Sequence, residues 1–131
     1  MNIIKFGGSI VNPDGKYDNK VIDEFIKLVK NNKDDFIFVV GGGKLCRFVQ
    51  EASKKFLQDA LKTEKEVEIA NDELGLAVTK INAHYVLHRF QEKLGEVVYP
   101  ELIIDPTIKI KSNCKVFFAT GWKPGCSTDK D

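Results

Sequence analysis

The sequence predicts an α/β domain of layered type, an open and mainly parallel sheet with helices packed on it. Three observations predict it. Short apolar runs rich in β-branched and aromatic residues occur at Asn2–Phe6, Phe36–Val40 and Lys115–Thr120, the pattern of strands buried on both faces. Between the first two runs, and again after the second, apolar residues return at helical spacing. Each strand run leaves through glycine, as KFGGS, VVGGGK and ATGWKPGCSTD, a strand-to-helix punctuation.

Taken in order, Asn2–Phe6 is the first strand. Val21, Ile22, Phe25, Ile26, Leu28 and Val29 then mark a helix, with Asp18 as its N-cap. Together with Phe36–Val40 this makes a strand–helix–strand unit of the length a right-handed parallel crossover needs. After Gly41-Gly42-Gly43, the residues Leu45, Phe48, Val49, Ala52 and Phe56 trace a second apolar stripe, with Lys and Glu opposite. Gln58–Glu66 is charged and weakly patterned, and reads as a connector. A long helix follows from Val67 to Leu94 through Leu74, Ala77, Val78, Ile81, Tyr85 and Val86, with Gly75 as its weak point and Gly95 as its stop. Val97-Val98-Tyr99 and Leu102-Ile103-Ile104 are brief apolar runs, each closed by a proline. Lys115–Thr120 is the third strand, and it leads into a turn whose Ser127-Thr128-Asp129 suit a helix cap.

With 131 residues, 43% of them hydrophobic, the chain supports one domain with a real core, spanning 1–131. Twenty basic side chains oppose nineteen acidic ones, a net charge of +1, which argues against nucleic acid or a membrane surface as the main partner. Any anion site must therefore be local. The apolar runs fall far short of the roughly 20 residues that span a bilayer, and Lys5 with two glycines interrupts any secretory pattern near Met1. Cys46, Cys114 and Cys126 include no CxxC pair, so the reading is a reduced, cytoplasmic protein.

In an open parallel sheet the carboxyl ends of the strands form the crevice where ligands sit. Glycine lets backbone N–H groups approach a ligand, and the N-terminus of a following helix adds partial positive charge. One glycine turn is as readily a tight connection, but three at corresponding strand ends point to a phosphate-type anion site. VVGGGK is not a P-loop, because Leu45 follows Lys44 and the spacing is wrong; G-x-G-x-x-G is absent as well. Arg47, one turn past the triple glycine, can return to the strand end and clamp a phosphate through two parallel hydrogen bonds, or stand as a solvated arginine. Lys5 sits at the end of an apolar strand, near the crevice or guarding a sheet edge. Asp72 and Glu73, near the start of the long helix, suit capping or a sugar hydroxyl. His84 and His88 share a helical face without a third ligand at suitable spacing, which favours surface or interface histidines over a metal site. Trp122 can stack on a base or pack its own turn.

KFGGS, GGGKLCR, DELGLAVTKINA and GWKPGCSTD, in this order, resemble the amino acid kinase superfamily and, within it, the archaeal-type UMP kinases. KFGGS is shared with the aspartate, glutamate and carbamate kinases, whereas the D-x-x-G-x-x-x-T-x-x-N-A helix beside a PGxSTD turn is more specific. The resemblance implies the three-layer αβα amino acid kinase fold and transfer of the γ-phosphoryl group of ATP, with Mg2+, to UMP to give UDP. By matching positions it implies that Lys5 neutralises the transferring group and that Gly7, Gly8 and Ser9 serve the ATP phosphates. Gly42 would approach the UMP phosphate, with Gly43 and Arg47 spanning the phosphoryl region. Asp72 would take the ribose hydroxyls. Trp122, Lys123, Pro124, Gly125, Cys126, Ser127 and Thr128 would wrap the uridylate, and Asp129 would organise phosphoryl transfer. Positioning and charge neutralisation suffice for such a reaction, with no nucleophilic side chain. Archaeal relatives often carry Thr-His where Trp122 and Lys123 stand.

The family continues beyond these motifs into a second sheet region that holds ATP. The expectation is therefore that 1–131 is the N-terminal acceptor part, with an apolar sheet face open to solvent and a tendency to self-associate. The resemblance also implies a homo-oligomer. Two alternatives stay open: another small-molecule phosphate kinase such as isopentenyl phosphate kinase, disfavoured because its GGGSFGH histidine gives way here to Lys44–Arg47, and a non-catalytic nucleotide-binding module.

Overall fold

The apolar run FIFVV becomes the central strand of a parallel sheet in the computed structural model, which describes residues 1–14 and 16–121. Strands β1 (Asn2–Phe6), β2 (Phe36–Val40) and β3 (Val116–Ala119) lie in the order β1-β2-β3. Helices α1 (Gly8–Val11) and α2 (Asn19–Lys30) join β1 to β2. Helices α3 (Gly43–Ala60) and α4 (Glu64–Leu94), then a 3-10 turn (Gly95–Val97), precede β3. Both strand pairs are parallel, as expected, with Ile4 beside Phe38 and Phe38 beside Phe118.

Strand alternation puts Phe6, Phe36, Phe38, Val40, Val116 and Phe118 on one face. Ile22, Ile26 and Val29 of α2 and Ala83, Val86, Leu87 and Phe90 of α4 join them in one core. Phe38 is its centre: the rings of Phe6, Phe25, Phe36, Phe90 and Phe118 surround it at 5.2 to 6.5 Å between centroids. Asp18 caps α2 as expected, accepting from the N–H groups of Lys20 and Val21 at 3.2 and 3.3 Å. Arg89 ties α4 to α2 through paired bonds to Asp23 of 3.0 and 2.8 Å. Those bonds hold the Asp23 carboxyl below the usual carboxylate range and push the Arg89 guanidinium up.

Several expectations about the helices change. The charged stretch expected as a connector from Gln58 to Glu66 is mostly helix, leaving 61–63 between α3 and α4. Thr63 caps α4 by accepting from the N–H of Glu66 at 3.1 Å, the Ser/Thr-x-x-Glu signature of a helix start. Because α4 begins at Glu64, Asp72 and Glu73 lie roughly two turns inside it and have no capping role. α4 runs unbroken through Gly75, where a Cβ would stand 3.0 Å from Gln50 Nε2 and 3.3 Å from Cys46 Sγ. Gly75 is the place where α3 and α4 approach closely. The α3 stripe splits, because α3 packs chiefly on α4 and α1 and has no buried residue; Phe48 and Phe56 are 55% and 71% exposed. Leu28 and Ile81 likewise face outward.

The apolar runs after α4 run beside β3 without forming a full strand. Val98 bridges Val116 and Ile103 bridges Ala119, with Tyr99 N–H donating to Val116 O and Ile103 N–H to Phe118 O, each at 2.8 Å. Pro100, between the two bridges, has no N–H to continue the ladder. The second sheet face carries Ile3, Ile37, Val39, Phe117 and Ala119, bordered by Ile103, Pro106, Ile108 and Ile110. Among the described residues the helices that join the core, α2 and α4, lie on the other face. The apolar face expected to be open is so only in part, with Ile3 73% and Ile108 64% exposed but Val39 and Phe117 buried.

Candidate functional site

β1 and β2 finish level, Phe6 beside Val40, so their glycine turns emerge at the same edge of the sheet. Gly41 N–H donates to Phe6 O at 3.1 Å and carries the ladder one step past the strands. There the turns meet backbone to backbone. A Cβ on Gly8 would lie 2.1 Å from Gly43 N and 2.4 Å from Gly42 C. Gly43 has φ +61°, in the left-handed region, and a Cβ there would lie 2.5 Å from Gly8 C. The third turn starts at this same end, because β3 closes at Ala119, level with Val39, and Gly121 follows.

Helix α3 begins at Gly43 with Gly42 as N-cap and no side-chain cap, which leaves its first N–H groups and partial positive charge directed at the strand ends. Cys46, in its first turn, packs beneath Gly42, where an added Cβ would meet Cys46 Cβ at 2.6 Å. Burial pushes the Cys46 thiol pKa up, with the Arg47 charge opposing. Arg47 is exposed and lines a groove between α3 and α4 with Gln50, Lys54, Val67 and Asn71. Gln50 Nε2 donates to the carbonyl of Asn71 at 3.0 Å across that groove. Asp72 is exposed on α4, next to Asn71. Lys44 reaches Asp14 at 3.7 Å, both exposed.

The expected site residues thus fall into groups. Gly7, Gly8, Gly42 and Gly43 converge, and Ser9 sits exposed in α1 beside them. Lys5 stands opposite Val39, one residue before the end of β1, on the open sheet face rather than the helix-covered one. Arg47 and Asn71 line the α3–α4 groove, whereas Asp72, exposed on α4 next to Asn71, is not part of its lining. Trp122, Lys123, Pro124, Gly125, Cys126, Ser127, Thr128 and Asp129 lie outside the described residues. His84 and His88 are both exposed, their rings stacked at 6.1 Å between centroids. Among the described residues no three His, Cys, Asp or Glu side chains gather to hold a metal, and no helix is long and apolar enough to cross a membrane.

One participant has no assigned role from its sequence. Asn82, fully buried on α4, donates from Nδ2 to the carbonyls of Gly41 at 2.8 Å and Gly42 at 3.1 Å. Its Oδ1 accepts from Asn12 Nδ2 at 3.0 Å and from the Tyr17 hydroxyl at 3.1 Å. Its sequence signals were its place as the asparagine of the D-x-x-G-x-x-x-T-x-x-N-A pattern and its position inside a stripe otherwise headed for the core, next to Ala83 and four residues before Val86.

A model of the amino acid kinase family matches residues 1–99. The uridylate kinase of Pyrococcus abyssi is 31% identical over 134 residues, covering 97% of this chain and 52% of the relative. The uridylate kinase of Thermococcus gammatolerans is 29% identical over 135 residues with the same coverage. Among solved structures, uridylate kinase from Archaeoglobus fulgidus superposes with a TM-score of 0.68 at 21% identity, over 98% of this chain and 53% of that one. The chain therefore spans about half the length of the relatives it matches. Because that family model matches residues 1–99 of the 131, the chain belongs to the amino acid kinase family.

Proposed function

We propose that this chain carries the phosphate-acceptor part of a uridylate kinase, in which the γ-phosphoryl group of ATP passes to UMP and gives UDP. The observation that carries the reading is the contact of Gly8 with Gly42 and Gly43 at the level ends of β1 and β2, at the uncapped start of α3. Backbone N–H groups and a helix N-terminus at one point suit a phosphate. The names of the relatives support uridylate as the acceptor.

In this reading Gly42 approaches the UMP phosphate, and Gly43 with Arg47 spans the region between acceptor and donor. Gly7, Gly8 and Ser9 serve the ATP phosphates, Lys5 neutralises the group in transfer, and Asp72 takes the ribose hydroxyls. Trp122 to Thr128 wrap the uridylate and Asp129 organises the transfer. Magnesium, as the partner of ATP, would supply positive charge against the phosphates. Such a site works by holding two anions close and in line while cations offset their repulsion. The reading makes the protein a cytoplasmic homo-oligomer of pyrimidine nucleotide synthesis, with ATP held largely by residues beyond this chain.

Isothermal titration tests it. UMP should bind the chain more tightly than ATP, and Arg47→Ala should weaken UMP by about tenfold or more, the worth of a charge-assisted hydrogen bond. Tight ATP binding with no UMP binding would overturn the proposal.

A further inference from the structure

We infer that Asn82 is the positioning residue of the glycine turn: its side-chain amide holds the carbonyls of Gly41 and Gly42 so that the following N–H groups face a bound phosphate. The identity of that phosphate as UMP rests on the function proposed above; the positioning itself does not.

A buried asparagine is costly unless its polar atoms are satisfied. Asn82 is fully buried, and its two Nδ2 hydrogens and two Oδ1 lone pairs all have partners in Gly41 O, Gly42 O, Asn12 and Tyr17. That set also fixes the orientation of the amide, because exchanging Oδ1 and Nδ2 would aim an acceptor at two carbonyls. The carbonyl of Gly41 shares a peptide plane with the N–H of Gly42, and the carbonyl of Gly42 with the N–H of Gly43. In a planar trans peptide the C=O and N–H point in opposite directions. Drawing both carbonyls towards α4 therefore turns both N–H groups away from it, out of the core. The same side chain reaches the first glycine turn through Asn12, the C-cap of α1, whose N–H donates to Gly8 O at 2.8 Å. Tyr17, stacked on Tyr85 at 3.9 Å, holds the other Oδ1 lone pair. One amide thus sets the relation of both turns.

Asn82→Asp is nearly isosteric, keeps an acceptor for Asn12 and Tyr17, and loses both donors to the glycine carbonyls. Tyr17→Phe removes one bond to Oδ1 and leaves both donors. Each variant of the 15N-labelled chain is followed by thermal melting and by amide spectra during UMP titration. N82D should shift the Gly42 and Gly43 amide resonances in the free protein and weaken UMP by about tenfold, the loss of two hydrogen bonds. Y17F should weaken UMP about threefold while the Gly42 and Gly43 amides still respond. A folded N82D that binds UMP like the wild type, with those amides unmoved, overturns the inference. If N82D does not fold, an unchanged UMP affinity in Y17F overturns it. A wild type that binds no UMP defeats the proposed function instead, and unmoved free-state Gly42 and Gly43 resonances in N82D would still defeat the positioning role.

Discussion

Replacing Gly8 with alanine adds one methyl group at the point where the two glycine turns touch. The new Cβ would sit 2.1 Å from Gly43 N, against about 3.4 Å for ordinary contact, so the turns must part by about 1.3 Å, 3.4 minus 2.1. All three nearest atoms are backbone, so no side chain can rotate aside. Overpacking of this kind costs roughly 1–3 kcal/mol, and the lower entropy of the unfolded alanine chain returns about 0.4–1 kcal/mol. Taking the middle of each range, the net loss of about 1.3 kcal/mol lowers the melting temperature by about 5 °C for a chain of this size. Gly7→Ala is the matched control. Its backbone is at φ −60°, ψ 146°, and its added Cβ meets only Ser9 Oγ at 3.8 Å, so its melting temperature should not fall. Calorimetric melting of both variants, with UMP titration alongside, reads the difference. A G8A protein melting within about 1 °C of G7A and binding UMP equally well would refute the contact between the turns.

Two further outcomes follow from charge and exposure. The Asp23 carboxyl has a folded-state pKa below its unfolded value, first through its hydrogen bonds from Arg89, so the stability it adds is present above the unfolded pKa, about 4, and lost as pH falls through the folded one. Wild type should therefore melt above Asp23→Asn near neutrality, with the gap closing below about pH 4; a gap that stays constant into strong acid would contradict the Arg89–Asp23 tie. The exposed apolar patch around Ile3 and Ile108 should drive concentration-dependent association, and the double substitution Ile3→Lys, Ile108→Lys should reduce it. Light scattering that finds the wild type a clean monomer at high concentration would refute this.

The strands were legible because buried parallel strands are continuous apolar runs, and glycine marks where they stop; β1, β2 and β3 fall within a residue of the runs that predict them. The start of α4 was legible too, in Thr63-x-x-Glu66, but its flanking charges masked it as a connector. Which face of α3 turns inward was not legible: Phe48 and Phe56 keep helical spacing with Leu45 and Val49, yet only a neighbouring helix decides which side is covered.

By itself, the sequence determined the strand and helix types, the glycines at the strand ends and the family to which they belong, because these are properties of short segments. Tertiary structure alone decided that Gly8 lies against Gly43, that Asn82 reaches both turns and that part of one apolar sheet face stays open. Each depends on the register of parallel strands and on the packing of α4 across them, contacts between residues from 35 to 70 positions apart, and no local pattern encodes such a distance.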